Sequence, residues 1–264
     1  RGDVIVMVKK KAMSLEKASF VKKQGHRDAI EFAEILGIGK EYRSEPQAKK
    51  DVIDNEGHAY SVKSGEKKWQ IFLYSKTRFQ KDFTFKGMNG LSEILLECIE
   101  AFPENRTEYL QDKKKYKEKL KEPMQKLCAK LKNKELLAAF IHKSIFNSGE
   151  VNFLVIKNDN KFNVFYNEDV VNILKSNFEV ENSKAKTQNQ MDNQKVLFKI
   201  NNKTCGEIEM RNDSDIHYRE IKFWLSKKLT FELLISKIEN IKILKNQKLI
   251  FYGQETIKKL KYIN

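Results

Sequence analysis

Asp51 and Lys63 flank a short turn in KKDVIDNEGHAYSVKSG (49–65), and their side-chain types raise a chemical question. A carboxylate can hold Mg²⁺, a hard ion satisfied by one or two carboxylates together with phosphate and water oxygens. An amine aimed at a scissile phosphate can orient a water or stabilise developing negative charge. An exposed Asp–Lys pair without any such role is common and contributes little. Spacing alone does not choose between the two.

Whether the pair meets depends on the turn. A three-residue loop Asn55-Glu56-Gly57 puts glycine at the left-handed position and pairs Asp54 with His58. Asp51, Ser61 and Lys63 then share one face, and Asp54 lies on the other. A two-residue loop shifts the register and brings Asp54 to the Lys63 face instead.

The elements around the hairpin must hold it. Ala29, Phe32, Ala33 and Leu36 recur at helical spacing in QGHRDAIEFAEIL (24–36), and Gly37 stops the helix. KKWQIFLYS (67–75) has an apolar run, Ile71–Tyr74, that suits a buried central strand. LSEILLECIEAF (91–102) is a second amphipathic helix ended by Pro103. Residues 104–145 read as lysine-rich helix broken at Pro123, and 151–167 as a β-hairpin over Asn-Asp-Asn. EDVVNILKSNF reads as a short helix and 181–194 as a polar linker. KVLFKI and GEIEMR form a hairpin around NNKTC, and a Lys/Ile/Leu-rich helical tail closes the chain.

The expected fold is α/β: a mixed central sheet flanked by helices, with a helical insertion and a C-terminal β-hairpin and helix region. Three stretches organise it. They are 1–103 with the helix-hairpin-strand-helix core, 104–150 with the lysine-rich helices, and 151–264 with further α/β structure, together forming one compact domain.

AKKDVIDNEGHAYSVKSG resembles the core of the PD-(D/E)xK nucleases, especially bacterial type II restriction endonucleases. In that family an acidic helix precedes a hairpin with Asp on one strand and (D/E)xK on the next, and a further strand and helix complete the sheet. The likeness spans roughly residues 20–102 and takes WQIFLY as the next strand. It implies that Asp51 binds metal, that Lys63 is the catalytic lysine, and that Val62 offers its backbone carbonyl to the ion.

Ser61 departs from the pattern, since it stands where the family has its second acid. Some restriction enzymes recruit a carboxylate from elsewhere, and the preceding helix is one source. Glu31 is the first candidate, with Asp28 and Glu34 behind it, although helical geometry leaves the choice among them open. Reading Glu66-Lys67-Lys68 as the ExK would require an acid on HAYSVK, and none is there.

The resemblance further implies double-stranded DNA as substrate, a short specific site, a homodimer and a companion DNA methyltransferase. Arg211, Asn212, Ser214, His217, Tyr218 and Arg219 cluster after a strand and are candidate DNA contacts. Arg and Asn can read guanine and adenine edges bidentately, and Ser, His and Tyr suit phosphates. The lysines of 113–121 could meet backbone phosphates or form a solvated helix face.

Charge points the same way. The 264 residues carry a formal net charge of +15, an excess that favours polyanions such as nucleic acid. Cys98, Cys128 and Cys205 are odd in number and widely spaced, as reduced thiols are. No apolar run approaches a membrane span, and RGDVIVMVKKKAM lacks the length and cleavage site of a secretory signal. A soluble, cytoplasmic, bacterial protein is expected, and the start upstream of Arg1 stays open. No P-loop, HNH, GxSxG or Cys/His protease pattern occurs. A structure-specific repair or junction nuclease of the same superfamily, and a non-catalytic basic nucleic-acid-binding protein, are the alternatives.

Overall fold

A computed structural model describes residues 15–39 and 42–263, so the segment read for a signal lies outside the described residues. Helix α1 (Leu15–Leu36) is longer than its apolar stripe predicts. It ends where Gly37 takes φ 83°, with Ile38 N–H on the Ala33 carbonyl and Gly37 N–H on that of Glu34. Strand β1 (Arg43–Glu45), a 3₁₀ turn over Pro46–Ala48, and strands β2 (Lys50–Ile53), β3 (Ala59–Lys63) and β4 (Lys68–Tyr74) follow. Helices α2 (Lys76–Lys81), α3 (Phe83–Lys86), α4 (Leu91–Glu100), α5 (Arg106–Gln111), α6 (Lys113–Leu131) and α7 (Lys134–Phe146) come next.

The second half holds β5 (Phe153–Asn158), β6 (Lys161–Tyr166), α8 (Asn167–Asn177), β7 (Glu179–Asn182), β8 (Lys195–Ile200) and β9 (Lys203–Met210). It closes with β10 (Ile221–Ser226), α9 (Lys227–Lys237), β11 (Ile241–Leu244), β12 (Leu249–Tyr252) and α10 (Gln254–Lys259). No helix among the described residues is long and apolar enough to cross a membrane.

The strands form a mixed seven-stranded sheet, β1-β2-β3-β5-β6-β12-β11, and an antiparallel five-stranded sheet, β4-β10-β9-β8-β7. In the mixed sheet β3 runs parallel to β5, and β6 parallel to β12. The protein is therefore α/β with a mixed sheet flanked by helices. Sequence stretches 1–103 and 151–264 both give strands to both sheets.

Each face of the mixed sheet has its own core. Ala29, Phe32 and Ala33 of α1 pack on Val52, Tyr60, Phe153, Val155, Val164 and Phe251. Leu154, Ile156 and Phe165 on the other face join Leu95, Leu127, Phe140, Phe72 and Phe223 in the larger core, shared with the helices and the second sheet.

Three expectations are corrected here. β4 is not a central strand beside β3: it pairs with β10 at the edge of the other sheet. The β3 edge belongs to β5, whose Phe153, Leu154, Val155 and Ile156 are buried on both faces, whereas Lys68 and Gln70 of β4 are exposed. Pro123 does not break α6. A buried stripe of Leu120, Pro123, Met124, Leu127, Cys128 and Leu131 runs through it, and that burial offsets the missing N–H. The tail is not all helix, because β11 and β12 complete the mixed sheet.

Candidate active site

The β2–β3 hairpin adopts the three-residue loop. Gly57 sits at φ 86°, its N–H bonds the Asp54 carbonyl at 3.0 Å, and Asp54 N–H bonds the His58 carbonyl at 3.0 Å. Val52 faces Tyr60 and Ile53 faces Ala59, which leaves Asp51 opposite Ser61. Asp54 turns to the α1 face. Buried there, it accepts from Tyr60 Oη (2.8 Å), Tyr262 Oη and the N–H groups of Glu56 (3.0 Å) and His58 (2.8 Å). Burial, reinforced by Asp54, pushes the Tyr60 phenol far up. Asp54 is the clasp of the turn.

On the opposite face Asp51 Oδ2 accepts from Val62 N–H at 2.7 Å and Ser61 Oγ at 3.3 Å, with Lys63 Nζ at 3.8 Å. Both charged side chains stay partly open, Asp51 at 28% and Lys63 at 23%. The acid and the amine are thus brought together, with Ser61 bonded to the acid.

Further cations close in. Lys49 follows the 3₁₀ turn at φ 64° and donates from Nζ to the Ile71 carbonyl at 2.6 Å, tying the hairpin to β4 of the second sheet. Burial first, then the charges of Lys63, Lys143 and Arg78, lowers the Lys49 amine to about 7 against the pull of Asp51. Burial and then Asp51 raise the Tyr42 phenol. Lys143, buried on α7, pairs with the equally buried Asp82 at 3.1 Å and reaches Asn147 Oδ1 at 3.0 Å.

Glu31 is not among these groups. Ser61 stands beside Leu154 and Lys63 beside Ile156, so the site shares the face of the larger core. Lys157 points the other way, and its Nζ takes Glu31 at 2.6 Å and Asp28 at 2.7 Å. Helix α1, Glu34 included, packs its apolar stripe on the Val52–Tyr60 face, so the sheet itself lies between α1 and Asp51. The carboxylate expected from α1 therefore does not reach Ser61.

The donor set limits what metal could be held. Among the described residues no group of three or more His, Cys, Asp or Glu could hold an ion. What remains is one carboxylate whose Oδ1 has no hydrogen-bond partner among the described residues. Val62 adds a backbone carbonyl, which in a strand projects to the same side as its N–H, toward Asp51. Those donors fit Mg²⁺ only in the mode where substrate phosphate and water supply the other ligands.

The expected DNA-reading segment joins β9 to β10 and is tied to α4 and α5. Arg211 Nε binds Asp213 at 2.7 Å, and Arg219 Nη2 binds Glu100 at 3.0 Å. His217 Nδ1 meets Glu220 at 2.7 Å, and Tyr218 Oη donates to the Pro103 carbonyl at 2.7 Å. Ser214 Oγ accepts from His217 N–H at 3.3 Å, and the Asn212 carbonyl accepts from Arg106 Nε at 3.4 Å. The arginine forks expected to read bases thus meet exposed carboxylates of the protein itself. On α6, Lys113, Lys114, Lys115 and Lys119 are exposed.

Sequence reading missed Lys49, Arg78, Asp82 and Lys143. One signal was available: Lys143 is a lone charge in the apolar run LLAAFIHKSIF, where only a paired lysine can be buried. Comparison of the chain with protein-family models, with curated proteins and with solved structures found no match.

Proposed function

We propose that the chain is a Mg²⁺-dependent endodeoxyribonuclease of the type II restriction kind, cutting duplex DNA at a short specific site. One observation carries the reading: Asp51, Ser61 and Lys63 stand on one face of a locked hairpin, with amine and carboxylate 3.8 Å apart. Lys63 gives that place positive charge for a backbone phosphate, and Arg78 adds to the field at neighbouring Lys49. On this reading Lys63 orients the attacking water and stabilises charge on the phosphate, and Asp51 with the Val62 carbonyl would hold the ion. Bound Mg²⁺ would add Lewis-acid charge at the same phosphate. Ser61 and Val62 N–H fix the Asp51 rotamer. A homodimer, a companion methyltransferase and a cytoplasmic setting follow from the restriction reading.

The absence of a second carboxylate among so many cations favours one rival, a basic DNA-binding protein without catalysis. Digestion of a supercoiled plasmid with Mg²⁺ separates them. Discrete bands are expected, and Asp51→Ala and Lys63→Ala each lower the rate by about 10²–10⁴. Nicking that follows DNA structure would point to a repair or junction nuclease. Wild-type cutting by either variant sinks the assignment.

A further inference from the structure

The loop between β9 and β10 has its arginines engaged with protein carboxylates, whereas a second cationic surface has none such among the described residues. The segment from 75 to 90, between β4 and α4, has the needed chemistry. Its Phe83 is 81% exposed, the most exposed of the large hydrophobic side chains among the described residues. Arg78, Lys81 and Lys86 are exposed around it, and no carboxylate partner takes any of the three among the described residues. The two other charges beside them are already used, Lys76 by Glu100 at 2.7 Å and Asp82 by Lys143 at 3.1 Å. The surface charge left is purely positive.

The segment is also fixed and correctly placed. Phe79 and Phe85 are fully buried, and the Asp82 side chain caps α3 by accepting from Thr84 N–H at 3.1 Å. An exposed aromatic on so well anchored a base is held out to solvent by its surroundings. Lys49, two residues before Asp51, donates to β4 directly upstream, and Arg78 and Lys143 contribute to the field it feels. Lys49 thus links the Asp51–Lys63 hairpin to β4, the strand that leads into α2 and α3.

We infer that α2–α3 is a DNA-docking surface on which Arg78, Lys81 and Lys86 contact backbone phosphates and the Phe83 ring enters the base stack. Charge complementarity selects the occupant: cations without carboxylate partners, Lys86 lying over the Phe83 ring at 5.3 Å and Arg78 over Tyr74 at 5.0 Å, suit a polyanion with stacked bases far better than an apolar protein face. The inference takes its substrate class from the proposed nuclease reading, but its test reads binding alone.

The test is fluorescence anisotropy of a labelled DNA duplex titrated with the full chain in EDTA, repeated over a range of salt. Phe83→Ala should weaken binding by about 5- to 150-fold, the range for one lost base–aromatic stack, and Phe83→Tyr should restore it. The triple variant R78Q/K81Q/K86Q should flatten the plot of log affinity against log salt by about 0.9 per contact, roughly 2.7 in all. Since the four side chains are exposed, thermal melts should match wild type. Wild-type affinity in Phe83→Ala together with an unchanged slope in the triple variant overturns the proposal. So does a Phe83→Ala effect confined to self-association in sedimentation, which would make the ring a protein contact. If the variants behave as expected but wild type cuts no plasmid, the surface stands and the nuclease reading falls. If wild type cuts and binding is unmoved by the variants, the reverse holds.

Discussion

Removing the buried cation of α7 is the most demanding test of how the candidate site is built. Lys143 and Asp82 are 7% and 8% exposed, 3.1 Å apart, and each has a second task. Lys143 also binds Asn147 Oδ1, and Asp82 caps α3. Lys143→Met keeps the length of the stem and its apolar contacts but leaves the Asp82 carboxylate buried without a counter-charge. Breaking a buried pair from one side costs about 3–5 kcal/mol. For a chain of this size each kcal/mol lowers Tm by about 2–4 °C, so melting should fall by roughly 6–20 °C. Adding Asp82→Asn removes the stranded charge while keeping an oxygen for the Thr84 N–H. The double variant should therefore recover most of the loss, because removing both ions together is close to neutral. Urea unfolding of wild type, both single variants and the double variant closes the cycle. A loss below about 1 kcal/mol in Lys143→Met, or a double variant that loses the sum of the singles, would refute the claim that this pair anchors α2–α3 beside the hairpin.

Two further outcomes follow from the same geometry. Glu31→Gln should leave plasmid cleavage within a few-fold of wild type and cost no more than about 1 kcal/mol, because a partly exposed pair with Lys157 contributes little. A rate falling as far as in Asp51→Ala would show that α1 reaches the site after all. The second outcome concerns pH. Folding lowers the Lys49 amine from 10.5 to about 7, so between those values the unfolded chain holds a proton that the folded chain has released. Stability from this group therefore rises with pH across that window and is flat below it. Lys49→Met removes the effect, so the difference in Tm between variant and wild type should shift in favour of wild type from pH 7 to pH 10. A difference independent of pH would show that the amine is ordinary.

The hairpin was legible because its turn chemistry is local. Glycine as the last of three loop residues admits only one comfortable register, and that register alone places Asp51 opposite Ser61. The stripes of α1 and α4 and the β5–β6 hairpin are equally local, and they form as the sequence predicts. What failed was non-local. The stripe on α1 says which side of the helix meets a sheet, but not which face of the sheet it covers, and the sheet separates Glu31 from Asp51. β4 follows β3 closely in sequence, yet β5 takes the place beside β3 after the intervening helices. The pairs Arg211–Asp213 and Arg219–Glu100 were hidden for opposite reasons. The first is so local that it looks like loop polarity, and the second joins residues far apart in the chain.

The vacancy left by Ser61 has a consequence for how such a site would work. In place of a second acid the structure sets amines near Asp51: Lys63 Nζ at 3.8 Å, with Lys49, whose amine burial lowers to about 7, behind it. The Lys63 ammonium opposes a free dication there, since the one carboxylate is already compensated by it. A phosphodiester changes the balance, because it brings negative charge and ligand oxygens to the same place. On the proposed reading, DNA and Mg²⁺ bind cooperatively, each supplying what the other lacks, and the protein alone has little affinity for the ion. The lysine that makes the hairpin a poor metal site in isolation is then the group that recruits its second ligand set. On that reading Ser61 is tolerated there because the substrate, not the protein, would complete the coordination.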